Sequence, residues 1–559
     1  MQQLIECVPN FSVGRDQSVI DQITAEIEAS DGVKLLDVDP GAATNRTVVT
    51  FVGAPVDVID AAVRAISKAT ELIDMRDHFG EHPRFGATDV CPLVPVSGIT
   101  MEETVRYAHI LAARLAEEVG LTIYCYEDAA LTPERRNLAS VREGEYEGLA
   151  ARLAEPEWQP DFGPASFNAR SGATAVGARG FLVAYNINLN TTSTRRANAI
   201  AFDVRERGRV KRVGDPVTGE VVLDEHGEKV WVPGTLKAVK GIGWFIEEYG
   251  VAQISMNLTD IETTPTHVAF DEVVDKAAAR GIRVTGSELV GLVPLSSMLE
   301  AGRYYLRKQQ RSTGVADAEL IKIAVKSLGL DELYPFEPSE KIIEYAIDDG
   351  GPRLVDASVR GFIEETASES VAPGGGSVAA NLGALGAALG TMVANLSSHK
   401  RGWDDRWEEF SDWADRGKAC QDQLVGLIDA DTDAFNQIMA AFGMSAESEG
   451  EKAARAEAIE AATRNAIEVP LRVMEVSLES MDVIAAMAEI GNPNSVSDAG
   501  VGALCARSAV MGAYLNVRIN AGELTDDAVR FSYLERGAAM QLAAQESEAA
   551  TLETVIDRI

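Results

Sequence analysis

The sequence predicts an α/β sandwich of two ferredoxin-like, split β-α-β subdomains followed by an all-α helix-bundle domain. Three observations carry that prediction. Short runs rich in Val, Ile, Thr and Tyr alternate with amphipathic helical runs up to near residue 330. The alternation occurs twice, on either side of a polar Gly- and Pro-bearing stretch, Glu157–Gly172. Beyond it the strand signals vanish, and Ala-rich sequence with helical periodicity runs to the end. A chain of 559 residues also exceeds what one compact core holds.

In order, LIECVPNF, VKLLDVD, RTVVTFVG, DVCPLVPV and LTIYCYED read as strands. VIDQITAEIEA, VIDAAVRAISKATELI and TVRYAHILAARLAEEVG read as the helices between them. This is a β-α-β-β-α-β order with one further strand or helix. After Gly172 the order repeats with strand FLVAYNINLN, helix TRRANAIAFDVRE, strand GVAQISMNLTD, helix VAFDEVVDKAAARG and strand IRVTGSELVGLVP. An insert at Gly208–Pro233 carries turn signals at Pro216–Gly219 and Glu225–Gly227. Two such halves side by side leave a groove, with Glu157–Gly172 lying across it. The expected divisions are 1–181 and 182–326 for the two α/β subdomains, a linker at 327–340, and the helical domain at 341–559. In VAANLGALGAALG the small residues Ala379, Gly383, Ala387, Gly386 and Gly390 suit close helix approach, within the chain or across a subunit interface.

Composition excludes several classes. A formal net charge of -35 with no Lys/Arg-dense face argues against nucleic acid. The acid is spread along the chain and Arg outnumbers Lys, which fits either a salt-rich cytoplasm or an ordinary acidic enzyme. Five scattered cysteines without C-x-x-C support neither a disulfide framework nor a zinc ribbon. The first residues lack the pattern of a signal peptide, so a reducing cytoplasm is the expected home. Ser370–Ser398 is uncharged, but it is built mainly from Ala and Gly and reads as a buried bundle helix rather than a membrane span.

Two of six histidines, His78 and His82, stand in D-H-F-G-E-H-P-R-F-G-A-T-D-V-C-P. Gly80, Pro83 and Gly86 break any helix there, so the pair shares no helix face and no zinc site forms. His82 in a rigid loop suits proton transfer near neutral pH. A-P-G-G-G-S-V places three glycines before a helix start, where free N–H groups receive an anion or simply form a turn and cap. No G-K-[ST] follows, which removes an ATP reading. L-I-D-A-D-T-D-A-F offers Asp429, Asp431 and Asp433 but lacks the glycine and closing glutamate of a calcium loop. G-N-P-N-S-V-S-D-A-G is a turn with polar groups for a heterocycle or for capping.

Taken together, C-V-P-N-F-S, T-N-R-T-V-V-T-F-V-G, G-E-H-P-R-F-G-A-T-D-V-C-P, D-F-G-P, Y-N-I-N-L, S-E-L-V-G-L-V-P, A-P-G-G-G-S-V-A-A, D-A-D-x-x-A-F and G-N-x-x-x-x-S-D resemble the bifunctional formiminotransferase–cyclodeaminase family over essentially the whole chain. The resemblance implies transfer of a formimino group from N-formimino-L-glutamate to N5 of tetrahydrofolate. Closure to 5,10-methenyltetrahydrofolate with loss of ammonia would follow. It implies tetrahydrofolate as co-substrate, no metal, no membrane, and a homo-oligomer with dimer contacts in both domains. His82 matches the family's transferase base and Asp431 its cyclodeaminase aspartate. The implied folate-binding positions are Gly163, Pro164, Ala165, Ser166, Phe167, Asn168, Ala169, Arg170, Ser171 and Gly172. Gly374, Gly375, Gly376, Ser377, Asn492 and Asp498 are implied pocket positions in the helical domain. A cyclohydrolase-like second step and a non-catalytic folate-binding scaffold are the alternatives.

Overall fold

The computed structural model describes residues 3–41, 44–80, 84–214, 219–347, 351 and 353–559. They form two compact units, 1–298 with 325–349, and 299–324 with 350–559.

In the first unit β1 (Leu4–Cys7) and β2 (Asn10–Phe11) are two halves of one strand, interrupted where Pro9 has no N–H to give the ladder. With β3 (Val33–Gly41), β4 (Arg46–Gly53) and β5 (Thr88–Ser97) they make an antiparallel order β3-β4-β1/β2-β5. Here α1 (Gln17–Glu28) and α2 (Pro55–Leu72) are the crossovers of a split β-α-β fold. A further helix, α3 (Met101–Arg114), leads to β6 (Thr122–Glu127), and β7 (Ala173–Ala178) inserts parallel between β5 and β6. The caps follow the sequence: Asp16 accepts from the Ser18 and Val19 N–H groups, and Thr100 with Glu103 forms a capping box. One face of the sheet packs Ile5, Cys7, Phe51 and Leu93 against the three helices.

The second sheet has the order Val239–Ile246, Val251–Leu258, β8 (Val183–Leu189), Val284–Val290, all antiparallel. With the helices Thr194–Val204 and Thr266–Ala278 it is again a ferredoxin-like β-α-β-β-α-β arrangement. The strands ATAVGA and VKGIGWFI escape the sequence reading because glycine and alanine carry little strand propensity. Both glycine-rich choices are contacts. A Cβ on Gly177 would meet the Tyr126 ring at 2.5 Å, and one on Gly243 would overlap the Asn198 backbone. In the 208–233 insert the second expected turn is made, with Gly227 N–H donating to Asp224 O at 3.1 Å. The first falls largely on 215–218, outside the described residues.

The second unit is a bundle of five long helices, Gly375–Ser398, Trp407–Phe442, Glu449–Ile490, Val496–Ala521 and Asp527–Arg558. Ser448 with Glu451, and Asp526, cap two of them. The segment around Thr313 docks into this bundle, its hydroxyl donating to Asp415 at 2.6 Å, while Asn395 donates to Gly314 O at 2.8 Å. Among the described residues Gly375–Ser398 is the one helix long and apolar enough to cross a membrane, and most of that stretch is buried by its neighbours. Its glycines explain how. A Cβ on Gly386 would stand 2.9 Å from Ala506 N and Gly502 O, and one on Gly390 3.0 Å from Ile484. The small-residue stripe therefore packs helix on helix within the chain.

Glu6 is the exception in the first sheet. It points away from Ile5 and Cys7, beside Val52 and Val94, and is almost fully buried. Burial pushes its carboxyl up to about 7, with Arg179 pulling it down and Glu344 pushing it further up.

Two outcomes follow from these contacts. Gly386→Ala must push apart a pair of packed helix backbones and should cost about 1–3 kcal/mol. Gly426→Ala, at an exposed helical position with nothing within 4 Å, should gain roughly 0.5–1 kcal/mol. Urea midpoints of the two variants against the parent check both signs. Between its ordinary value of 4.5 and about 7, folded Glu6 holds a proton that the unfolded chain has lost, so this group erodes stability as pH rises through that window. Glu6→Gln should match the parent near pH 4 and exceed it by about 3 kcal/mol above pH 7. Parallel stability–pH curves would remove that account of Glu6.

Candidate active site

The glycine turn opens the central helix of the bundle, and its cap comes from another helix. Gly374, the N-cap, has no side chain to close the turn. Asp431, from Trp407–Phe442, takes that place. Its Oδ2 accepts from the Ser377 N–H at 2.9 Å and the Ser377 hydroxyl at 3.2 Å. A Cβ on Gly376 would overlap Asp431 Oδ1, so only glycine admits the carboxylate here. Burial pushes the Asp431 carboxyl above the usual range, while the Ser377 hydroxyl and N–H pull it back. The result is a half-buried carboxyl able to take and return a proton, beside helix N–H groups that favour negative charge.

The neighbouring aspartates do other things. Asp429 accepts from Leu354 N–H at 2.7 Å, and Asp433 is exposed. Sequence reasoning missed Asn516, whose amide nitrogen stands 3.5 Å from where a Cβ on Gly375 would be. A lone Asn in an Ala-rich helix gives no signal. Asn492 and Asp498 are not gathered here. Asn492 N–H donates to Ser397 Oγ at 2.8 Å, twenty positions beyond Ser377 on the same helix and therefore about 30 Å away. Asn492 Oδ1 accepts from Asn494 N–H at 3.3 Å, and Asp498 lies in the first turn of the next helix.

In the α/β unit, His82 lies outside the described residues, and the segments flanking it are described. His78 is buried, its Nε2 2.8 Å from Asn45 O, and burial pulls its pKa below the usual value. Burial therefore favours its neutral form. Arg84 pairs with Glu147 and lies over the rings of Phe79 and Tyr146 at 6.0 and 5.8 Å.

The Gly163–Gly172 stretch lies against these same segments. Gly163 and Gly172 both have positive φ, and a Cβ on either would overlap the backbone of Leu121 or Phe85. Gly86 bridges Gly172, Tyr146 donates to Ala169 O, and its ring packs 5.5 Å from Phe167. Thr122 donates to Pro164 O at 2.7 Å. Asn168 Oδ1 accepts from Arg170 N–H at 3.0 Å and from Ser171 N–H at 3.4 Å, closing the loop on itself. Gly163, Pro164, Ala165, Ser166, Phe167 and Asn168 are exposed.

Beneath runs a network that the sequence did not announce. Buried Asp89 accepts from Arg142 Nε at 3.1 Å and pairs with Arg46 Nη1 at 3.1 Å, and Arg46 Nε donates to Asn10 Oδ1 at 2.8 Å. Burial pulls Arg46 down to about 10 against the opposing pull of Asp89. It remains a cation at neutral pH. Among the described residues no group of three or more His, Cys, Asp or Glu is placed to hold a metal.

Comparison with known proteins divides the chain at the same motifs. The family model described as the formiminotransferase domain, N-terminal subdomain, matches residues 4–179, and the formiminotransferase domain model matches 184–348. The formiminotransferase-cyclodeaminase model matches 358–538. The mouse (Mus musculus) formimidoyltransferase-cyclodeaminase is 44% identical over 529 residues, 94% of each chain. A glutamate formimidoyltransferase of Streptococcus pyogenes is 39% identical over 307 residues, 55% of this chain and 94% of its own. A methenyltetrahydrofolate cyclohydrolase of Methylorubrum extorquens is 38% identical over 171 residues, 31% of this chain and 82% of its own. Matched by family models along most of its length and by full-length relatives, the chain belongs to the formiminotransferase-cyclodeaminase family.

Proposed function

We propose that this chain transfers the formimino group from N-formimino-L-glutamate to N5 of tetrahydrofolate, then cyclises the 5-formimino product to 5,10-methenyltetrahydrofolate with release of ammonia. The observation that carries the second half is the Asp431 carboxyl seated on Gly376 and Ser377. Family membership and the full-length relatives support the pair of reactions.

In the first step N5 attacks the amidine carbon and must lose a proton, while the departing glutamate nitrogen must gain one. His82 is assigned that traffic by its motif, and the Gly163–Gly172 stretch, exposed at Gly163–Asn168, is assigned to folate. In the second step N10 attacks the same carbon of the protonated formimino group (C=NH2+), the C–N bond to the formimino nitrogen breaks, and ammonia departs. Asp431 takes the proton from N10 and delivers it to the leaving nitrogen, a role that its raised pKa suits. Ser377 fixes the carboxylate in place for both transfers. The methenyl product is a cation, and the same carboxylate faces it.

A cyclohydrolase-like activity of the helical unit is the second reading, favoured by the Methylorubrum relative. The five cysteines stand free, four of them buried, which supports a reducing cytoplasm. A homo-oligomer with dimer contacts in both domains completes the reading. In the bundle, exposed Leu385, Met392 and Leu396 on one helix, with Val501, Leu504 and Leu515 on another, support it.

A coupled assay with formiminoglutamate and tetrahydrofolate, following ammonia and methenyl absorbance, tests the proposal. Asp431→Asn should fold, complete the first transfer and accumulate 5-formiminotetrahydrofolate, with ammonia release slowed ~10²–10⁴-fold. Asp433→Asn, one charge lost two positions away, should cyclise at the parent rate. His82→Ala should fail at transfer yet cyclise supplied 5-formiminotetrahydrofolate. Equal cyclisation by the two aspartate variants would overturn the role of Asp431. Formyltetrahydrofolate made from supplied methenyltetrahydrofolate, without ammonia from the formimino substrate, would favour the cyclohydrolase reading.

A further inference from the structure

The motifs Y-N-I-N-L, V-A-Q-I-S-M-N and S-E-L-V lie outside both stretches described above, yet the second sheet brings them onto one face. Tyr185, Ile187, Ile254 and Met256 are buried among the core residues. A Cβ on Gly243 would overlap the Ala197 and Asn198 backbone of the helix Thr194–Val204, which marks that side of the sheet as the helix side. Strand alternation therefore sends Trp244, Gln253, Asn186 and Glu288 to the opposite face. There Gln253 Nε2 donates to Asn188 Oδ1 at 2.7 Å and to Glu288 Oε2 at 3.4 Å, and Asn186 donates to the same oxygen at 3.3 Å. Tyr249 donates to Glu288 Oε1 at 3.2 Å, and the Trp244 indole N–H to Gln253 Oε1 at 3.1 Å.

Two features set this face apart. The amide floor is closed, with Gln253 only 1% exposed, while Trp244 at 39% and Val290 at 42% remain open around it. Among the described residues Glu288 meets no cation; its three donors are neutral and stand at 3.2–3.4 Å, long for hydrogen bonds, so its charge is not compensated by a partner. Three carboxylates buried elsewhere in the unit are engaged differently: Asp89 by Arg46 and Arg142, Asp161 by Arg135, and Glu6 by burial that keeps its proton on.

We propose that Glu288, with Gln253 and the Trp244 ring, recognises the 2-amino-4-oxopyrimidine edge of tetrahydrofolate in the transferase reaction. This rests on the formimino-transfer reading above. The chemistry is specific. The pterin presents N3–H and the 2-amino group side by side, as a guanidinium does, and a carboxylate accepts both at once. An exposed indole offers a flat face for the ring. Gly163–Gly172 contains no acidic residue and cannot supply that acceptor. Glutamyl groups are anions, and Glu288 with nearby Glu332, which accepts from Asn188 at 2.6 Å, would repel them. The face is therefore matched to the pterin and not to formiminoglutamate.

The test uses the full chain and steady-state transfer kinetics. Glu288→Gln should raise KM for tetrahydrofolate at least tenfold, leave KM for formiminoglutamate unchanged, and cyclise supplied 5-formiminotetrahydrofolate at the parent rate. With 2-desaminotetrahydrofolate, parent and Glu288→Gln should differ less than twofold, a result that a merely structural glutamate would not give. Trp244→Phe should keep most of the affinity and Trp244→Ala lose it. The inference falls if Glu288→Gln melts like the parent and keeps its KM for tetrahydrofolate, or if the rise is confined to formiminoglutamate. It also falls if the variant changes the sedimentation coefficient and not KM, which would give this face to a second copy of the chain. Absence of formimino transfer in the parent protein would instead sink the underlying reading.

Discussion

The helical site depends on one close approach: the Asp431 carboxylate occupies the space that any side chain on Gly376 would fill. Three consequences follow from it. The helix beginning at Gly375 is capped by a residue from another helix, so its first N–H groups and its dipole are directed at a titratable group. The carboxyl is half buried, which pushes its pKa up, while Ser377 donates twice and pulls it down. A group balanced between those two influences changes protonation more readily near neutral pH than a solvated aspartate does. The close helix packing at Gly383, Gly386 and Gly390 serves the same end, since it seats the glycine helix at the centre of the bundle.

The α/β unit treats charge by a different rule. Its buried aspartates are neutralised by guanidinium groups, Asp89 by two and Asp161 by one, and burial shifts one of its buried histidines, His78, toward the neutral form. Glu6 lacks such a close partner and is held protonated over most of the acid range. Against that background Glu288, met by amides and a phenol and, among the described residues, by no cation, differs from Asp89, Asp161 and Glu6. The loop that carries Gly163–Gly172 is shaped by backbone contacts instead. Its two terminal glycines adopt positive φ where side chains would overlap neighbouring chain.

Much of this was legible in the sequence where period and residue type agreed. RTVVTFVG and DVCPLVPV are β-branched and became β4 and β5, and the repeated β-α-β-β-α-β order appears in both sheets. ATAVGA and VKGIGWFI were not legible, because their small residues answer to an aromatic ring and a helix backbone that local sequence does not contain. The helical period separates Asp431 from Asp429 and Asp433, but which face meets the glycine turn is a tertiary fact. Asn516, Arg46 and Glu288 each come to their neighbours from distant regions of the chain, and their motifs carried no sign of that meeting. Asn492 and Asp498 lie at the other end of the glycine helix from Asp431, a separation that local sequence does not encode.

The role of Asp431 is read out by the pH dependence of 5-formiminotetrahydrofolate cyclisation in single turnover. Proton transfer through Asp431 predicts an acid limb above the ordinary carboxylate range, absent in Asp431→Asn. That limb should move to higher pH in Ser377→Ala, because the lost hydroxyl donor favoured the charged form. A limb in the ordinary carboxylate range, or one that Ser377→Ala leaves in place, would contradict the assignment of proton transfer to Asp431.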